Sequence, residues 1–200
     1  MSYAIVGFGK IGQAIAHAFA RKNIEVTIAS RQPPEVLAPQ ARTIGPRVIA
    51  KSLRNALEAD TIILAVPFGE HRKVAESLAD WNGKTVIDAM NAFGVPPEDL
   101  GGQPSSAFVA KSFAGASVVK GFNQLPAAAL ATDPIVAGAH RVVFLSSDDE
   151  DAIAPVQALA RQLDFAPVTL GKLNEGGALV QARGRNWGPL IFQDLFKKQS

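Results

Sequence analysis

Tyr3-Ala4-Ile5-Val6-Gly7-Phe8-Gly9-Lys10-Ile11-Gly12 is the stretch from which the fold can be read. Tyr3 to Val6 is a short apolar run of strand length, and Ile11 to Arg21 has helical length and spacing. Between them Gly7, Gly9 and Gly12 stand in GxGxxG spacing, a motif that carries weight when it follows a strand and opens a helix, as it does here. The first glycine permits the tight turn out of the strand, the second lets backbone approach an anion with no Cβ in the way, and the third lets helix and sheet pack closely. The helix N-terminus then directs oriented N–H groups at that anion. Gly7, Phe8, Gly9, Lys10, Ile11 and Gly12 are therefore expected around the pyrophosphate of a dinucleotide. The competing reading is a glycine-rich turn that binds nothing.

Outward from this turn, short β-branched runs alternate with helix-compatible stretches to the end of the chain. That alternation predicts an α/β, Rossmann-type, doubly wound and mostly parallel sheet of about eight strands with helices on both faces. Strands are expected near Tyr3 to Val6, Glu25 to Ala29, Arg47 to Ile49, Thr61 to Val66, Thr85 to Asp88, Val118 to Phe122, Val142 to Leu145 and Pro167 to Leu170. Helices are expected over Ile11 to Arg21, Ser52 to Ala59 with Ser52 as cap, His71 to Ala79, Asp149 to Leu163, and from Glu175 onward. Pro-rich or Gly-rich punctuation at Gln32 to Pro39, Phe93 to Pro104 and Asn174 to Gly188 predicts loops or interrupted helices. No repeat, low-complexity tract or linker interrupts the pattern, so residues 1–200 read as a single domain whose part from about residue 118 onward contributes the side that meets a second ligand.

Hydrophobic residues at 48% and charged residues at 19% exclude a disordered chain. A net charge of +2 with no basic block implies neither nucleic acid nor a membrane surface as partner. The apolar runs fall well short of the roughly 18 residues of a spanning helix, and the start lacks the pattern of a secretion signal. The expectation is a soluble, cytoplasmic protein. Without cysteine there is no disulfide, thiolate metal site or thiol catalysis. The three histidines are scattered, which disfavours a metal site, and His17 has no second ligand four residues on.

The tip of the second strand reads Ala29-Ser30-Arg31. An NAD site places Asp or Glu there, about 20 residues past the glycines, to accept from the ribose 2′-hydroxyl. Ser30 and Arg31 instead offer a hydroxyl and a planar guanidinium suited to a 2′-phosphate, which favours NADP(H). Arg31 as a solvated loop arginine is the alternative. Ala65, Val66 and Pro67 end the Thr61 strand at the carboxyl edge, where a doubly wound sheet holds its ligand. Pro67 either contacts the cofactor or simply stops the strand.

The reacting end has no recognisable catalytic residue. The YxxxK pair of short-chain dehydrogenases is excluded, since the one tyrosine is Tyr3 in the first strand. The glycine loop, Ser30-Arg31, Ala65-Val66-Pro67 and Val118-Val119-Lys120-Gly121-Phe122-Asn123-Gln124-Leu125-Pro126-Ala127-Ala128 occur in an order that resembles the deazaflavin, coenzyme F(420)-dependent NADP oxidoreductase family. Val142 to Leu145, Asp148 to Asp151 and Gly171-Lys172-Leu173 continue the correspondence over most of the chain. The chain is also similar to the soluble oxidoreductase domain of flavin-using metalloreductases. The resemblance implies hydride transfer between NADP(H) and a deazaflavin or flavin (FMN or FAD), a reaction of two stacked rings that asks for ordered approach more than for acid–base chemistry.

Asn123 stands where the deazaflavin enzymes tend to carry His, and the loop Asp88 to Gly94 lacks their proline-rich character. The small-molecule hydride acceptor is therefore left between a deazaflavin, a flavin and another compound. For its side of the site the candidates are Asn91, which also counts among the cofactor contacts, Asn123 and Pro126, with Arg183 and Arg185 meeting a phosphate or carboxylate. The asparagines read equally as turn residues bonding their own backbone, and the arginines as a solvated face. Lys111 and Lys120 read as surface residues. Trp187, Leu190, Ile191, Leu195 and Phe196 read as the apolar face of an expected terminal helix, for core packing or a homodimer contact. Two other functions compete: a non-catalytic NADP(H)-binding redox sensor, and a reductase of a small imine or carbonyl completed by a second subunit.

Overall fold

The structure, a computed structural model, describes residues 1–181 and the backbone of 196–197. The elements run β1 (Tyr3–Val6), α1 (Lys10–Arg21), β2 (Val26–Ala29), α2 (Pro34–Ile44), β3 (Val48–Ala50), α3 (Leu53–Ala56), β4 (Thr61–Leu64), α4 (His71–Ala75) and β5 (Thr85–Asp88). They continue with α5 (Ser105–Ser112), β6 (Ser117–Gly121), α6 (Ala127–Ala131), β7 (Ile135–Val136), β8 (Ala139–His140), β9 (Val142–Ser147), α7 (Glu150–Gln162), β10 (Ala166–Thr169), α8 (Gly176–Leu179) and β11 (Phe196–Lys197).

Eight strands form one sheet in the order β10-β9-β6-β5-β4-β1-β2-β3. Neighbours are parallel except at one seam, where β9 runs antiparallel to β6. The register aligns the strand tips: Ala29 pairs with Val6, Val6 with Leu64, Leu64 with Asp88, Asp88 with Lys120, and Lys120 with Ser146. β7, β8 and β11 make a separate small antiparallel sheet.

Central strands covered on both faces bury every residue, which is why β2 and β4 read as runs of apolar and β-branched residues without alternation, Thr27 and Thr61 included. One face packs against α1, α2, α6 and α7 through Ile15, Phe19, Leu37, Leu130, Val156 and Leu159. The other packs against α3, α4 and α5 through Ala56, Val74, Trp81, Val109 and Phe113. Full burial of a large apolar side chain contributes about 1.5–3 kcal/mol, and the aromatic pairs Tyr3–Phe19 and Trp81–Phe113 add edge-to-face contacts at 5.3 and 4.6 Å.

All eight expected strands are present, and Ser52 caps α3 by accepting from the Asn55 N–H at 3.3 Å. Of the loop or interrupted helix expected at Gln32 to Pro39, the structure has a helix: the segment starts α2, with Pro34 at the first helical position, where its missing N–H costs nothing and its fixed φ suits the helix. Pro39 lies inside that helix. Phe93 to Pro104 is irregular apart from a single tight turn at Pro97–Leu100. Trp187, Leu190, Ile191 and Leu195 lie outside the described residues, and Phe196 falls in β11. Among the described residues no helix is long and apolar enough to cross a membrane.

Candidate functional site

At the carboxyl end of β1 the chain turns through Gly7, whose φ of +100° favours glycine. The Gly7 N–H donates to Ala29 O at 2.8 Å, and a Cβ on Gly7 would stand 2.4 Å from Ala65 O. A Cβ on Gly12 would meet Gly7 O at 1.9 Å, so helix and turn are in contact only because residue 12 has no side chain. Gly9 differs. It is the N-cap of α1, and nothing lies within 4 Å of where its Cβ would be. Packing does not demand glycine there. The first turn of α1 carries no acid, leaving its positive dipole end uncompensated. Gln13 Nε2 donates to Phe8 O at 2.9 Å, and Gln40 Nε2 donates to Gln13 Oε1 at 2.9 Å, so α2 braces the turn. Phe8 is buried, Lys10 exposed and Ile11 half-buried.

The tip of β2 holds Ser30, half-buried, with Oγ accepting the Gln32 N–H at 3.0 Å. This turn presents Arg31 outward, exposed, one residue beyond. The first acid after it is Glu35, in the first turn of α2.

Between the tips of β1, β4, β5 and β6 lies a cavity of about 440 Å³. Ile11, Ala65, Val66, Pro67, Asn91, Asn123 and Pro126, all singled out in the sequence, line it together. Phe68, Ala89, Met90, Phe93 and Leu125 complete the wall; no local pattern marks these five. Gly9, Ser30 and Arg31 stand outside the cavity, along the edge toward β2. The strand stops at Leu64, so Pro67 does not end it; Pro67 leads into a tight helical turn at Phe68–Glu70 and lines the cavity. His71 Nδ1 donates to Phe68 O at 2.5 Å and its ring packs on Phe68, fixing that part of the wall.

The two asparagines bond to each other. Asn91 Nδ2 donates to Asn123 O at 2.8 Å, while Asn123 Nδ2 donates to Asn91 Oδ1 at 3.1 Å and to Val180 O at 2.9 Å. They join the loops after β5 and β6 to the end of α8, a long-range link that a local turn reading misses. None of the twelve lining side chains is ionisable. Arg183 and Arg185 lie outside the described residues.

Lys120 is not a surface residue. It is 1% exposed, beside Asp88 at 0%. Its Nζ donates to Asp88 Oδ2 at 3.1 Å and to Met90 O, and Asp88 Oδ1 accepts the Met90 N–H at 3.0 Å. Register explains the pairing, since Asp88 and Lys120 are neighbours on adjacent strands. The pair clamps Met90, a cavity residue, from beneath. Lys111 is exposed, over the Phe108 ring at 5.7 Å, and His17 is exposed too.

Residues 2–92 match the family described as NADP oxidoreductase, coenzyme F(420)-dependent. The chain is 31% identical over 180 residues to metalloreductase STEAP2 of Mus musculus, covering 87% of this chain and 34% of that protein. It spans about a third of the length of the curated relatives it matches. Among solved structures, hypothetical protein SMa0349 of Sinorhizobium meliloti is 41% identical with a TM-score of 0.89, over 96% of this chain and 95% of that one. A candidate F(420)-dependent NADP reductase of Arthrobacter sp. FB24 is 26% identical with a TM-score of 0.72, over 90% of each. Glycine turn, sheet order and these likenesses agree: the chain resembles the coenzyme F(420)-dependent NADP oxidoreductases, the match to that family resting on residues 2–92.

Proposed function

We propose that this protein transfers a hydride between NADP(H) and a deazaflavin or flavin whose ring enters the cavity beyond the glycine turn. One observation carries the reading: among the described residues the cavity wall holds apolar side chains and two amides but no acid or base. Reduction of a carbonyl or imine calls for a positioned proton donor. Transfer between two flat rings calls for an apolar slot that stacks them and excludes water. NADPH supplies the hydride from its nicotinamide ring, becoming NADP⁺, and the acceptor ring takes that hydride with a proton from solvent.

In this reading the amides at Gly7 to Gly12 and the start of α1 hold the pyrophosphate, with the open space over Gly9 receiving it. Arg31 and Ser30 take the 2′-phosphate. Ile11 and Ala65 to Pro67 flank the nicotinamide, and the Asn91–Asn123 pair with Pro126 borders the acceptor. The match of residues 2–92 to the F(420)-dependent NADP oxidoreductases and the fit of the turn to a pyrophosphate support the dinucleotide; the wall chemistry supports the class of acceptor.

The test couples binding to turnover. A charge-assisted contact contributes about 1.5–3 kcal/mol, so Arg31→Ala is expected to weaken NADPH roughly tenfold to a hundredfold while leaving NADH nearly unchanged. Equal losses for both refute the assignment of Arg31. NADPH oxidation is then followed with deazaflavin, FMN and FAD. Tight NADPH binding with background oxidation for every acceptor refutes the enzyme and favours a sensor.

A further inference from the structure

We infer that Arg141 binds an oxyanion carried by the hydride acceptor, a phosphate or carboxylate on the chain attached to its ring; this rests on the function proposed above. Arg141 immediately precedes β9. Because β9 is antiparallel to β6, its first residues lie at the edge where β6 ends, and that edge carries the cavity. Gln124, between the cavity residues Asn123 and Leu125, donates from Nε2 to Val142 O at 3.3 Å, tying the cavity wall to the residue next to Arg141.

Arg141 is 6% exposed, yet its Nε and Nη1 have no acceptor among the described residues. Its backbone is fixed: the N–H donates to Pro134 O at 2.8 Å, and the carbonyl accepts from the Ala166 N–H at 2.9 Å. A guanidinium does not lose its proton in a protein, and a buried charge left without a counter-charge costs several kcal/mol. Asp164, two residues before Ala166, accepts from Lys22 Nζ through Oδ2 at 2.8 Å. Gln124 Oε1 is also buried without a donor, but a neutral amide oxygen would leave the charge standing. The missing partner is therefore an anion, and a planar guanidinium selects a phosphate or carboxylate, which it can grip with two N–H groups.

Riboflavin and FMN carry the same ring and differ by one phosphate, so they read the site directly. In the unaltered protein kcat/KM for FMN is expected to exceed that for riboflavin by about tenfold to a hundredfold. In Arg141→Met this ratio falls close to one, and Arg141→Lys, which keeps the charge without the fork, lies between. A ratio within one preparation is insensitive to how much of the variant is folded. Independently of turnover, with saturating NADP⁺ present to fill the phosphate sites proposed at the glycine turn and Arg31, inorganic phosphate should raise the Tm of the unaltered protein saturably and that of Arg141→Met only by the general salt effect common to both. Equal kcat/KM for the two flavins, or a Tm response to phosphate identical in both proteins, overturns the inference. So does a loss of NADPH affinity in Arg141→Met as large as the loss in the ratio, which would reassign the anion to the dinucleotide. A phosphate response confined to the unaltered protein, with no oxidation by either flavin, overturns the proposed hydride acceptor while the anion site stands.

Discussion

Replacing Lys120 by Met removes the cation from a pair in which both side chains are almost wholly buried, 1% and 0% exposed. Asp88 is then left ionised in the sheet interior or must take up a proton; breaking such a pair from one side costs about 3–5 kcal/mol. Asp88 Oδ1 keeps the Met90 N–H, which places the expected loss near the lower end, about 3 kcal/mol. With a urea m-value of about 2 kcal/mol/M, the unfolding midpoint should fall by roughly 1.5 M. The double variant Lys120→Met with Asp88→Leu removes both charges, and replacing a whole buried pair by apolar groups is often neutral, so it should recover most of the loss. The same lysine also donates to Met90 O, so the folded fraction of the single variant should bind NADPH more weakly as the cavity wall relaxes. A midpoint shift equivalent to less than about 1 kcal/mol, or a double variant no more stable than the single one, refutes this account of the pair.

Gly9→Ala and Gly12→Ala should fail in opposite ways. The first puts a methyl into open space and leaves Tm nearly unchanged, but weakens NADPH in calorimetry by about tenfold or more if the pyrophosphate sits where proposed, since the methyl would then lie between amide and phosphate. The second drives a Cβ to 1.9 Å from Gly7 O and should destabilise the fold by about 3 kcal/mol or more, lowering Tm by roughly 6–12 °C. Ser117→Ala should give a pH-dependent loss. The Ser117 hydroxyl donates to Asp149 Oδ2 at 2.5 Å, and this bond, followed by the Asp151 and Ala152 N–H groups, holds the Asp149 carboxyl below the usual carboxylate range. A depressed carboxyl stabilises the fold above its unfolded pKa of about 3.9, and that contribution disappears as pH falls through the lower folded value. The stability gap between unaltered protein and variant, from urea midpoints, should be full at neutral pH and close on acidification; a gap constant to the most acidic pH counts against the bond.

How far the sequence could be read depends on how local each signal is. Parallel strands buried on both faces carry their signature within four or five residues, so Val26–Ala29 and Thr61–Leu64 were legible to within a residue or two at each end. The glycine turn was legible because three residues and their spacing encode one geometry. α2 was masked by prolines, which read as breakers although Pro34 suits a helix start. Lys120 looked like a solvated residue because its partner is 32 positions earlier and only strand register brings the two together. The Asn91–Asn123 bonds, the seating of Phe68 and Phe93 in the wall, and the burial of Arg141 are likewise products of tertiary packing.

The reversal of β9 against β6 has a consequence for how this scaffold can diversify. In an all-parallel sheet each strand offers one departing loop to the ligand edge, and the next arriving loop lies at the far end. Here the inversion doubles back at the working rim, so the connection from Phe122 to Arg141 both leaves and re-enters there. Insertions or exchanges within that excursion can reshape that side of the cavity while the first four strands, and the glycine turn they carry, remain untouched.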